Sequence, residues 1–411
     1  MSRLSLLKKL LLTLLLLNLS LLAAAHAYGE SGDKNPIPAK QEVSTPIGAP
    51  SPEPEPKAVE LSNEQVEQYW NRLMNEYGGF LPEDKAPTLR EALTSGSGLS
   101  VRGVLTGLLK YFFHELLVNG KLLGSIVILT VFSMILETLQ SAFEKQAVSK
   151  VAYAITFMVL LVLAVNSFNV GIGYAKEAIG NMVDFMMAIV PLLFTLLASM
   201  GNVVSVTLMH PFIIFMIHTM STAIHFVVFP LLFFSTILHI VSSISPKFKV
   251  TQLANLLRSI SVGILGLFVT VFLGVISVQG ASAAVTDGVT LRTAKYVAGT
   301  FIPVVGRMFS DASDTVIGAS LLVKNAVGLT GVVTLILFCA FPAIKIISIA
   351  FIYTLAAAVM QPMGDSPIIK CLQTIGKNMV YVFTSLAAVG LMFFLAVTIL
   401  IAAGNVSVMM R

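Results

Sequence analysis

Charge is scarce in this chain. Only 11% of its 411 residues are Asp, Glu, Lys or Arg, while 56% are hydrophobic. A soluble protein carries roughly a quarter charged residues. A buried core alone does not need this much apolar surface, and mean hydropathy is +0.88. The composition therefore excludes an ordinary soluble domain and points to a multi-pass membrane protein. The apolar runs lack period-two alternation, which excludes a barrel and leaves helices. Basic residues are thinly spread over a net charge of +5, so no nucleic-acid face is expected. Cysteine is nearly absent: Cys339 and Cys371 share no C-x-x-C spacing and join no His/Cys cluster. Packed thiols are expected, with no metal site and no cofactor. The G-x-S-x-G, H-E-x-x-H, P-loop and dinucleotide fingerprints are also missing, so no catalytic residues are assigned and the chain is read as no enzyme.

What is present begins with a targeting layout. Arg3, Lys8 and Lys9 precede LLLTLLLLNLSLLAAA, and Ala25-His26-Ala27 resembles a cleavage site. Residues 1–27 read as a cleaved secretory signal, or alternatively as an uncleaved anchor; either places the chain from residue 28 outside the cytoplasm. Residues 28–60 hold seven prolines and end in SPEPEPK, an extended linker. Residues 61–120 read as extracytoplasmic amphipathic helices. Ser62 and Gln65 form a capping box. Val66, Tyr69, Trp70, Leu73, Met74 and Tyr77 then share one helical face, and Gly78-Gly79 stops the helix. A second candidate runs from about Arg102 to Asn119, with Leu105, Leu109 and Phe113 on its apolar side. The face of Tyr69, Trp70, Leu73 and Tyr77 is expected to dock on the membrane surface or on a partner.

Residues 121–411 form the polytopic domain. Apolar runs near 123–139, 151–168, 185–200, 204–224, 226–244, 260–279, 328–344, 346–360 and 380–402 predict about eight to nine spans of an all-α protein in the lipid bilayer. The block 185–244 holds two or three of them. Cation density modestly favours an external N-terminal region. His210, His218, His225 and His239 fall in that block and read as neutral groups bonded across helices. Lys345, after Pro342, reads as a tight turn.

The segment 280–327 interrupts this pattern with charge. Asp287-Gly288 is a turn signal. A short helix with Arg292 and Lys295 comes next. Pro303 and Gly306 break it. Ser310 or Asp311 caps a second helix, with Asp314 in its first turn, Lys324 in its last and Gly328 as its stop. Two short helices at a break fit either a re-entrant hairpin or a pair lying on the outer surface. Asp287, Arg292, Lys295, Pro303, Gly306, Arg307, Asp311 and Asp314 are the conduit or interaction candidates.

VTDGVTLRTAKYVAGTFIPVVGRMFSDASDTVIGAS (285–320), LLVKNAVGLTGVV, FCAFPAIKI and QPMGDSPI closely resemble the stage III sporulation protein AE family. YWNRLMNEYGGFLPE, the signal region and the closing GNVSVMMR share the resemblance; the proline-rich linker does not. The resemblance implies a membrane subunit of a channel between mother cell and forespore. It implies a place in the mother-cell membrane around the forespore and a need for the channel in late forespore gene expression. Its implied partners are the other stage III A proteins and, indirectly, stage II sporulation protein Q. A stand-alone small-solute transporter and an assembly scaffold are the alternatives. If the signal is cleaved, N-terminal sequencing of the mature chain should begin at Tyr28; a chain retaining Met1 would identify an anchor.

Overall fold

Apolar segments without alternation can satisfy their backbone only internally, and they do so here as helices. A computed structural model describes residues 56–81, 101–142, 147–244, 250–301, 305–363 and 366–409. The signal region, and the linker ahead of residue 56, lie outside the described residues. Helix α1 is Pro56–Tyr77, followed by a 3-10 turn at Gly78–Phe80. Next come α2 (Val101–Val118), α3 (Gly120–Ala142) and α4 (Ala147–Ser199). Helix α5 (Val203–Ala223) passes through a π turn, Ile224–Val228, into α6 (Phe229–Ile244). The chain closes with α7 (Thr251–Phe301), α8 (Val305–Met360) and α9 (Pro367–Met409).

The expected all-helical architecture is present, but the elements are longer and fewer. Five helices among the described residues are long and apolar enough to cross a membrane, or up to six if the bent pair α2–α3 counts as one. The apolar runs 151–168 and 185–200 are halves of α4. Runs 328–344 and 346–360 are halves of α8, and 204–244 forms one 35-residue stretch, Met209–Ser243. The polar residues between these runs read as loops in the sequence. Lys176, Glu177 and Asp184 nevertheless continue the helix, because nothing near them removes a backbone donor. Pro342 is such a remover, yet it lies inside α8. Neighbouring helices tolerate one missing bond at this depth. Lys345 accordingly stands in a helix rather than in a turn.

Helix α4 has 53 residues. At about 1.5 Å per residue it is about 80 Å long, against a hydrocarbon core of about 30 Å. One bilayer therefore encloses only part of it. The charged stretch 176–184 belongs at a water boundary or in a hydrated space.

Other local expectations resolve similarly. α1 is already running at Ser62, so the capping box is not its start; Pro56 opens it, where a missing N–H costs nothing. Gly78-Gly79 does end it. Asp287 and Gly288 make no turn and lie buried within α7. α7 is described to Phe301 and α8 from Val305; the break read at Pro303 falls on residues 302–304, outside the described residues. Ser310 and Asp311 are inside α8, not caps. The two short helices are thus the ends of two long ones.

Helix α8 packs along α9 and α4, and α9 also packs on α7 and α6. Small residues set these approaches. A Cβ at Gly328 would overlap the Ile401 side chain, so this glycine is a contact point within α8 and not a helix stop. A Cβ at Gly404 would overlap both Leu197 and Lys324. Lys324 is fully buried. Its Nζ donates to the Ile401 carbonyl at 2.9 Å and to Asn405 Oδ1 at 2.8 Å. One turn away Ser199 donates to Ser320 Oγ at 3.0 Å, so α4, α8 and α9 meet in a polar pin. His239 bridges α6 and α7 through Asn255 Oδ1 at 3.1 Å. Gly404→Val should destabilise the purified chain by about 1–3 kcal/mol through overpacking. Thermal unfolding in detergent should show it as a lowered Tm. Ala402→Val, half a turn away on the exposed side, is the control and should leave Tm near wild type.

Candidate functional site

Helix α1 is amphipathic and its two faces have different fates. Gln68, Asn71, Arg72, Asn75 and Glu76 are exposed along one side. Trp70, Leu73 and Tyr77 are buried on the other, at 1%, 0% and 6% exposure. The buried side docks on α4 and α8. Tyr69 meets Phe185 and Phe338 edge-on, at ring distances of 5.8 and 6.4 Å. Tyr77 stacks on Phe341 at 4.1 Å with rings 4° apart. Tyr111 of α2 closes the group edge-on, 5.7 Å from Tyr77 and 5.1 Å from Phe341. Such pairs contribute about 0.5–1.5 kcal/mol each beyond area burial. A Cβ on Gly107 would overlap the Phe80 carbonyl, so a glycine there lets α2 close against the turn after α1.

A cation completes the dock. Lys345 Nζ lies 3.9 Å from Glu76 Oε1, and 5.6 and 5.3 Å from the ring centres of Tyr77 and Tyr174. Glu76 is half exposed, so the ion pair itself contributes only about 0–1 kcal/mol. The two ring faces add an attraction that solvent screens less. Burial, and then the neighbouring Glu76 carboxylate, push the Tyr77 phenol well above its ordinary range, which keeps it neutral.

The exposed face of α1 lines a groove against α4. It measures about 440 Å³ and is bounded by Gln68, Tyr69, Arg72, Asp184, Met187 and Ala188. It adjoins a shallower hollow lined by Gln68, Asn71, Arg72, Asn75 and Glu76. Burial raises the Tyr69 phenol first; Asp184 raises it further while Arg72 opposes, so both charges act on this hydroxyl. The groove lies beside the middle of a long apolar helix: Phe338, under Tyr69, is near the midpoint of the stretch Thr315–Met360. Among the described residues, no group of three or more His, Cys, Asp or Glu side chains is placed to hold a metal.

The candidate residues read from the sequence fall into two groups. Tyr69, Trp70, Leu73 and Tyr77 are brought together, but against the chain's own helices, which cover the face the sequence offered to a membrane or a partner. The described conduit candidates belong to α7 and α8. Asp287 is buried in α7 and Arg292 is exposed there. Lys295, Gly306, Arg307, Asp311 and Asp314 stand on the helical backbone of α7 and α8. Pro303 lies outside the described residues. Asp287 and Arg292 do not line the groove. Sequence reasoning does not single out Arg72, Asp184 or Lys345 as site residues. Their signal is charge that interrupts otherwise apolar or aromatic faces.

Comparison with known proteins decides the family. The family model for stage III sporulation protein AE matches residues 85–404. The chain is 55% identical over 354 residues to the stage III sporulation protein AE of Bacillus subtilis (strain 168), covering 86% of this chain and 89% of that one. The chain belongs to the stage III sporulation protein AE family. Family membership gives it a role in sporulation, and its apolar helices make it a membrane protein of that process. α1 precedes the residues the family model matches. No solved structure matches the chain.

Trp70 is the chain's only tryptophan, so its fluorescence reports the dock directly. Its emission should be blue-shifted and poorly quenched by acrylamide in the folded chain. Tyr77→Ala, removing about 3–5 kcal/mol of buried aromatic packing, should shift it to the red. Lys345→Ala should change it little, as an ion pair of about 0–1 kcal/mol requires.

Proposed function

We propose that this chain is a non-enzymatic membrane subunit of a conduit joining mother cell and forespore, sitting in the mother-cell membrane with its N-terminal region outside the cytoplasm. The groove between α1 and α4 carries this reading. Polar and charged side chains line it beside long helices whose other surfaces are apolar. A fully lipid-facing bundle has no use for such a lining, since charge in hydrocarbon is costly and marks solute or ion paths. α1 is held there by aromatic packing, so its hydrophilic side faces the space that the groove opens into. The other stage III A proteins, and indirectly stage II sporulation protein Q, supply the remainder of the passage.

The reading is tested by blocking the groove in cells. In a Bacillus subtilis strain lacking its own relative, this chain would be supplied with Cys339 and Cys371 replaced by serine. Single cysteines at Gln68 or Met187 would then be treated with a bulky, membrane-impermeant thiol reagent during sporulation. Labelling should abolish spore formation, while labelling at the exposed Leu117 should not. Labelled groove positions with normal spore yield would remove the groove from the path. In liposomes the purified chain alone should release no trapped solute; release would favour the stand-alone transporter.

A further inference from the structure

The groove has features that a mere water-filled gap does not require. A guanidinium and a carboxylate, Arg72 and Asp184, line it from two different helices. Among the described residues no ion pair joins them; the pair formed by α1 is that of Glu76 with Lys345. Both are exposed to the groove. Tyr69 lines the same groove; its phenol feels the charge of each and its ring is held edge-on by Phe185 and Phe338. Gln68 adds a carboxamide that both donates and accepts. Met187 and Ala188 make the remaining wall apolar.

The geometry points to a binding site for a small zwitterion of the α-amino acid type. A carboxylate suits the forked guanidinium of Arg72, which offers two parallel N–H donors. An ammonium suits Asp184, and the Tyr69 hydroxyl and Gln68 carboxamide take the remaining hydrogen bonds. A short uncharged side chain would lie on Met187 and Ala188. A groove of about 440 Å³ holds one such molecule with its hydration and excludes a folded peptide. Opposite charges on opposite walls also disfavour simple ions, since a monovalent anion or cation leaves one wall without a partner. A site open to water exchanges such a solute readily, as passage requires.

This inference deepens the conduit reading and rests on it for its biological meaning, but its test does not. The full chain would be purified in detergent and titrated with L-alanine, with L-alanine methyl ester, which lacks the carboxylate, and with N-acetyl-L-alanine, which lacks the ammonium. Trp70 lies next to Tyr69 in α1, so its emission and calorimetry serve as two readouts. L-Alanine should bind saturably, and each blocked form at least about tenfold more weakly, the loss expected when one charged partner is left unpaired. Arg72→Gln should weaken L-alanine by about tenfold and leave the methyl ester unchanged; Asp184→Asn should also weaken L-alanine by about tenfold and leave the N-acetyl form unchanged. Equal affinity for all three compounds, or affinities untouched by both variants, would overturn the proposal, as would no saturable binding by either readout. Failure here together with a groove block that abolishes spores leaves the conduit standing and removes only the zwitterion. Binding as expected with a harmless block keeps the site and removes it from the path.

Discussion

Lipid offers a peptide backbone no hydrogen-bond partner, and the architecture follows from that constraint. The chain answers it with helices that run without interruption through glycine, lysine and even proline. Once backbone polarity is internal, any remaining polarity is a matter of side chains, and their placement becomes selective. Lys324 directs its donors to a carbonyl and a carboxamide of α9. Lys345 is surrounded by tyrosine faces and a glutamate. The carboxylate of Asp184 opens onto the one wall that α1 builds. Each of these charges is thus either consumed by helix packing or presented to a groove.

Packing between the long helices rests on close approach rather than on hydrophobic expulsion, because lipid tails are as apolar as leucine. Gly328 under Ile401, Gly331 under Ile189 and Gly404 under Lys324 are points of such close approach. α1 is held differently. It is short, carries polar residues along one side, and depends on stacked aromatic rings for its grip. Its attachment is therefore the part of the structure most sensitive to loss of a single side chain.

Periodicity made the class and several elements legible. The Arg102–Asn119 pattern recovered α2 to within a residue at each end. Asp287-Gly288, Gly328 and Lys345 misled, and for one reason. Each is locally compatible with a turn or a stop; Gly328 has a close-packed neighbour in Ile401, and Lys345 has partners on α1 and α4. Lys324 finds its acceptors 77 and 81 residues away, a distance no local rule spans. Likewise the aromatic face of α1 was legible as a face, but not as one the chain would cover itself. The groove was invisible, since it exists only where α1 and α4 are brought side by side.

The match to the family model begins at residue 85, after α1 has ended. One wall of the groove therefore comes from the part the family model matches and the other from a segment ahead of it, which the 354-residue match to the Bacillus subtilis relative still reaches. The division resembles a lock whose barrel is fixed and whose wards are cut on a separate insert. Recutting α1's outward residues, while leaving its aromatic grip intact, would alter what the groove accepts without disturbing any helix of the membrane body.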